Sequence, residues 1–117
     1  VPLEEFAKRK KDSDILVRLI VKKTPCRMVY TAMRNQRTDF PVIACALCRM
    51  GGEMRVSIGA RPGRAMLLRT AETDPKALGD LAAKNIPTEG NLRGSAAYRT
   101  HLVRVLTQRA MTELEDR

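Results

Sequence analysis

Residues 40–50, FPVIACALCRM, and residues 53–58, EMRVSI, constrain this chain most, because together they read as a β-hairpin. The first stretch is almost wholly apolar, and the second alternates apolar and polar with a period of two. Between them stands Gly51-Gly52, expected to supply the positive φ angles of a two-residue turn. The returning strand puts Met54, Val56 and Ile58 inward and Glu53, Arg55 and Ser57 outward. In the first strand Phe40, Val42, Ala44, Ala46 and Cys48 share one face, and Ile43, Cys45 and Leu47 share the other. Both faces are apolar, which predicts a central strand.

The remaining elements arrange themselves around this hairpin. Residues 14–21, DILVRLIV, are short and rich in branched side chains, which predicts a strand that ends before Pro25. Residues 26–33 alternate loosely and read as another strand; residues 64–68 read as a further one. Asp74-Pro75 has the chemistry of a helix start, an N-cap followed by proline at the first helical position. Ala77, Leu78, Leu81 and Ala82 form its buried stripe, and Asn85 with Pro87 ends it. Ser95 caps a last helix expected to reach about residue 115, with Tyr98, Leu102, Val105, Leu106, Ala110 and Leu114 along one side. Strands first and helices after predict an α+β fold: an antiparallel sheet of three to five strands with helices on one face. Residues 1–13 hold one short helical turn and the basic run Lys8-Arg9-Lys10-Lys11, and read as a linker or tail; residues 14–117 read as one domain.

Composition narrows the function classes. Lys and Arg number 22 against 13 Asp and Glu, a net charge of +9, which favours an anionic partner without choosing one. Only Phe6, Tyr30, Phe40 and Tyr98 are aromatic, too few for the stacking platform of a single-strand nucleic-acid binder, which argues against nucleic acid. The odd count of three cysteines favours a reducing compartment, and no apolar run approaches the ~20 residues of a membrane helix, so a cytoplasmic domain with no membrane partner is expected. Cys45-Ala46-Leu47-Cys48 fits CxxC, but on a strand its thiols point to opposite faces and cannot share a metal. His101, Ser57 and Ser95 lack the neighbours of a catalytic dyad, and the glycines match no phosphate-binding motif. No catalytic residue and no metal ligand is therefore assigned, and the chain reads as part of something larger.

Three blocks carry a resemblance. They are Tyr30-x-x-x-Arg34-x-x-Arg37-x-Asp39-Phe40-Pro41-Val42, then Ser57-Ile58-Gly59-Ala60-x-Pro62-x-Arg64-Ala65, then Leu92-Arg93-Gly94-Ser95-Ala96-Ala97-Tyr98-Arg99-Thr100-His101-Leu102. In this order and spacing they resemble the C-terminal domain of the FAD-binding (medium) subunit of molybdenum hydroxylases, the group of xanthine dehydrogenase and carbon monoxide dehydrogenase. The third block is the most specific of them.

The resemblance implies antiparallel strands backed by helices. It also implies a place in an oxidoreductase that passes electrons from molybdopterin through 2Fe-2S clusters to FAD and on to an acceptor. FAD would be held mostly by an upstream FAD-binding domain, with residues 1–13 as the tail leading from it. The molybdenum-cofactor subunit and the iron–sulfur subunit would be partners, and the isolated chain would be inactive. On this carry-over the cofactor-facing residues are Tyr30, Arg34, Arg37, Asp39 and Phe40. Phe40 is the aromatic near the flavin edge, Asp39 fixes the turn, and Arg34 and Arg37 supply positive potential, which favours a reduced flavin. The family often has Lys where Ala32 stands here, so that charge is absent or moved to Arg34. The alternative reading is a basic α+β module that binds nucleic acid or an acidic protein.

Overall fold

A computed structural model describes all residues, 1–117. The central hairpin forms as the alternation predicts. β2 (Ile43–Met50) and β3 (Glu53–Gly59) pair antiparallel, with Met50 opposite Glu53 and Gly51-Gly52 as the turn. Only Gly51 takes a left-handed φ, +61°, so one glycine rather than both supplies the positive angle. β1 (Arg27–Met33) pairs with the outer edge of β2, and β4 (Met66–Thr70) with that of β3, giving an antiparallel sheet in the order β1-β2-β3-β4.

α1 (Leu3–Phe6) is a single turn; α2 (Pro75–Asn85) and α3 (Ala96–Asp116) are the structural helices. Both start on the expected caps. Asp74 Oδ2 accepts from the Ala77 N–H at 2.7 Å, and Ser95 Oγ accepts from the Tyr98 N–H at 3.1 Å. α3 lies across β1 and β2, and α2 packs along α3. Where these helices cross, a Cβ on Gly79 would stand 2.8 Å from the Arg104 carbonyl oxygen, so glycine sits inside α2 despite its poor helix propensity.

The core is one cluster. Val29, Ile43, Cys45, Leu47, Met54, Val56 and Ile58 face the helices. Against them pack Leu102, Val103, Leu106, Ala110, Met111 and Leu114 of α3, with Leu78 and Ala82 of α2 and Ile86 beyond it. The other face carries the cross-strand rows Ala32–Ala44–Gly59, Tyr30–Ala46–Ser57–Leu67 and Met28–Cys48–Arg55–Arg69, on the side away from α2 and α3. An ion-pair group closes its far edge: Glu53 with Arg55 and Arg69, and Arg69 with Glu4 of α1 at 3.0 Å. No helix is long and apolar enough to cross a membrane.

The α+β architecture is the one read from the sequence, but four details differ. Residues 14–21 form no strand, and Ile15, Leu16, Val17, Leu19, Ile20 and Val21 are 57–87% exposed. Branched residues favour a strand only where a neighbour completes the hydrogen-bond ladder, and here none does. The first hairpin strand starts at Ile43, not Phe40, because Pro41 has no N–H to give the ladder. β2 is central within the sheet, yet its Ala44–Ala46–Cys48 face is only half-covered. On α3, Leu102, Leu106, Ala110 and Leu114 are buried as expected, but Tyr98 turns outward and Arg99, Val103, Thr107 and Met111 are buried too, so the inner stripe is broader than the one expected.

Candidate functional site

The chain leaves β1 at Met33 and must reverse to enter β2. The Val42 N–H donates to the Met33 carbonyl at 2.7 Å, closing the base of this loop. Within it the Asp39 N–H donates to the Gln36 carbonyl at 3.1 Å, and Arg34 Nε to the Asp39 carbonyl at 3.2 Å. The Asp39 carboxylate accepts from the Phe40 N–H at 2.7 Å and from Arg93 Nε at 3.3 Å. Asp39 therefore holds the turn in the position that leaves Phe40 pointing outward, 75% exposed. The Arg93 guanidinium stands over the Phe40 ring, 5.3 Å from its centroid, and covers one side of it.

Arg93 comes from the second wall, the loop at 87–95. There Asn91 and Gly94 exchange backbone hydrogen bonds of 3.0 and 3.2 Å across a tight turn with Leu92 and Arg93 at its tip. Asn35 Nδ2 reaches over from the first loop to the Arg93 carbonyl at 3.2 Å. Gly94 is closely packed: a Cβ there would meet Val42 Cγ1 at 3.1 Å and the Tyr98 ring at 3.3 Å, so those side chains would have to give way.

Both loops rest on Arg99, which is 1% exposed. Its Nε donates to the Val42 carbonyl at 2.7 Å, and Nη1 to the Glu89 and Gly94 carbonyls at 2.8 and 2.6 Å. Its Nη2 donates to Asn91 Oδ1 at 2.6 Å. The planar guanidinium is suited to four acceptors spread in one plane; a lysine is not. Burial, then the charge of Arg93, lowers the Arg99 pKa below the ordinary arginine range. A third loop joins the same frame. Arg61 Nε donates to the Pro87 carbonyl at 2.6 Å, and the Arg61 carbonyl accepts from the Glu89 N–H at 3.2 Å.

The result is a shallow surface cleft of about 390 Å³ lined by Arg34, Arg37, Thr38, Asp39, Phe40 and Pro41. Four of the five residues singled out in sequence, Arg34, Arg37, Asp39 and Phe40, meet there. Tyr30 does not: it stands opposite Ala46 on the open sheet face, 61% exposed and four residues, roughly 13 Å of strand, from Arg34. Sequence reasoning overlooked Arg93 and Arg99 as partners of this loop. Their only signal was membership of the third motif block, 54 residues from Asp39 in the case of Arg93. A larger hollow of about 750 Å³ lies between the N-terminal segment and Arg64, bounded mostly by the irregular residues 9–20.

No protein-family model matches this sequence, and no curated protein does. Solved structures do. Quinoline 2-oxidoreductase from Pseudomonas putida 86 superposes with a TM-score of 0.64 at 17% identity, over 78% of this chain and 37% of that one. The structure of carbon monoxide dehydrogenase from Hydrogenophaga pseudoflava that lacks the Mo-pyranopterin moiety of the molybdenum cofactor gives 0.61 at 19% identity, over 74% of this chain and 36% of that one. This chain spans little more than a third of the length of either. Its four-stranded sheet and helices have the fold of one segment of these two oxidoreductase chains.

Proposed function

We propose that this chain is the C-terminal domain of the FAD-binding subunit of a molybdenum hydroxylase, and that the cleft at residues 34–41 forms part of the wall around the flavin. One observation carries the reading most: Asp39-Phe40-Pro41 and Arg93-Gly94-Ser95, from separate motif blocks, are joined by a direct ion pair beside an exposed aromatic ring. The likeness of fold to two oxidoreductase chains supports it.

The residues present suit a flavin. Phe40 offers an apolar ring at the surface, while Arg34 and Arg37 bring positive charge to the same cleft and suit a cofactor that becomes more anionic on reduction. A bound flavin would supply the redox chemistry; the chain's residues orient and tune. Asp39 and Arg93 fix the loop, Phe40 excludes water from one edge, and Arg34 and Arg37 set the local potential. Tyr30 belongs to this reading only through the open sheet face, where an upstream FAD-binding domain would lie against it. The bare apolar side chains of residues 15–21 support such a covering domain. Molybdopterin and 2Fe-2S clusters belong, on this reading, to partner subunits.

The test is flavin content of the protein with its upstream FAD-binding domain joined. A yellow holoprotein is expected, with Phe40→Ala and Arg37→Ala each weakening FAD retention while the fold persists. A joined protein that purifies colourless and takes up no added FAD would refute the proposal. Tight, salt-sensitive binding of a short oligonucleotide would instead favour the basic-module alternative.

A further inference from the structure

The CxxC spacing pairs Cys45 with Cys48 on paper, but the fold separates them. Cys45 is buried in the core, its Sγ 3.7 Å from Thr107 Oγ1. Cys48 lies on the open sheet face. Its cross-strand partner there is Met28, and Cys26 precedes that partner by two residues, just before the ladder begins; continued by one residue, the register would bring it to the adjacent diagonal. The Cys26 thiol is exposed. Burial, then the neighbouring Cys26 thiol, raises the Cys48 pKa, while Arg55, opposite Cys48 across the hairpin, lowers it.

We propose that Cys26 and Cys48 form a reversible dithiol–disulfide site that clips the segment entering β1 onto the open face of the sheet. Diagonal neighbours on a sheet sit about 7–8 Å apart at Cα, just beyond the ~4.4–6.8 Å of most disulfides. Closure therefore needs a small backbone shift. Cys26 can make it, because the ladder begins only at Arg27.

The oxidant is a low-molecular-weight disulfide such as oxidised glutathione. The accessible Cys26 gives up its proton, and its thiolate attacks one reagent sulfur, breaking the reagent S–S bond and releasing one thiol. The deprotonated Cys48 then attacks the Cys26 sulfur of the mixed disulfide and releases the second thiol. Two protons and two electrons pass from the cysteine pair to the reagent, which is reduced to two thiols. The reverse sequence, with excess thiol, reopens the clip. The exposed segment ahead of β1 is thereby tied or freed by redox state, independently of any flavin.

The experiment equilibrates the full chain in glutathione buffers of graded oxidised-to-reduced ratio, alkylates it under denaturing conditions and maps the peptides by mass. In oxidising buffer the expected product is a monomer with a Cys26–Cys48 linked peptide and only Cys45 alkylated. Cys26→Ser and Cys48→Ser should each abolish the link and trap the remaining partner as a glutathione adduct; Cys45→Ser should leave the link intact. Far-UV circular dichroism checks that each serine variant is folded. Amide exchange of residues 22–26 should slow on oxidation of the wild type and of Cys45→Ser, and stay unchanged in Cys26→Ser and Cys48→Ser. Separate glutathione adducts on Cys26 and Cys48 without a link, linkage only between chains, or three free thiols in the most oxidising buffer would overturn the site. A link that leaves exchange at 22–26 unchanged would overturn the clip.

Discussion

Replacing Arg99 with alanine tests whether one buried cation holds the candidate site together. The side chain makes four hydrogen bonds, to the carbonyls of Val42, Glu89 and Gly94 and to Asn91 Oδ1. Hydrogen bonds from a charged donor contribute about 1.5–3 kcal/mol each, which as a simple sum would exceed what any single residue contributes. The sum shrinks because burying the guanidinium itself costs free energy, as its lowered pKa records, and because water will reach some freed carbonyls. About 3–5 kcal/mol is the expected loss, a large share of the 5–15 kcal/mol typical of a domain. Urea unfolding followed by circular dichroism should show the midpoint falling by about 2 M at the usual slope. Arg99→Lys should recover only part of this, since three ammonium protons cannot span acceptors arranged for a planar fork. Arg99→Met, which fills the space and removes the charge, should still lose about 2 kcal/mol or more because the carbonyls remain unpaired. A midpoint for Arg99→Ala within about 0.5 M of wild type, or an Arg99→Met chain as stable as the parent, would refute the reasoning.

Gly79→Ala should destabilise the chain by about 1–3 kcal/mol, although alanine is the better helix former, because its Cβ would press on the Arg104 carbonyl of α3; urea midpoints decide the sign. The buried Cys45 thiol is pushed up from 9.0 to about 11. The unfolded chain therefore loses this proton first, and the stability contributed is full below pH 9 and lost as pH rises toward 11. Between those limits wild type should lose about 1.4 kcal/mol per pH unit more than Cys45→Ala, as read from paired urea titrations. Phe40→Ala should cost no more than about 1 kcal/mol, the value of an exposed cation–π contact, because nothing else in the fold rests on that ring.

What was legible in the sequence is what local chemistry dictates. Gly51-Gly52 between alternating runs marked the hairpin, and Asp74-Pro75 and Ser95 marked both helix starts, because turns and caps are settled by residues adjacent in the chain. Residues 14–21 misled because β propensity describes fitness for a sheet already present, and no strand lies beside them. Arg93 and Arg99 carried no sequence signal beyond membership of the third block; only the fold brings Asp39, Asn91 and the Val42 carbonyl within their reach. The proposed thiol pair was hidden for a related reason, since a three-residue spacing draws attention to Cys45 while Cys26 comes near Cys48 only through the pairing of β1 with β2.

The bare run at 15–21 also bears on how the protein behaves at high concentration. A stretch of branched residues with unpaired backbone is the usual seed for cross-β stacking between copies. Here it is bracketed by Lys8-Arg9-Lys10-Lys11 on one side and Lys22-Lys23 on the other, with Arg18 inside it. Parallel, in-register association would stack these cations on one another at strand spacing, so mutual repulsion guards the run. That guard is electrostatic and weakens as added salt shortens the screening length. The concentration at which light scattering first rises should therefore drop as ionic strength increases, and Lys22→Ala with Lys23→Ala should lower it at low salt and flatten that dependence.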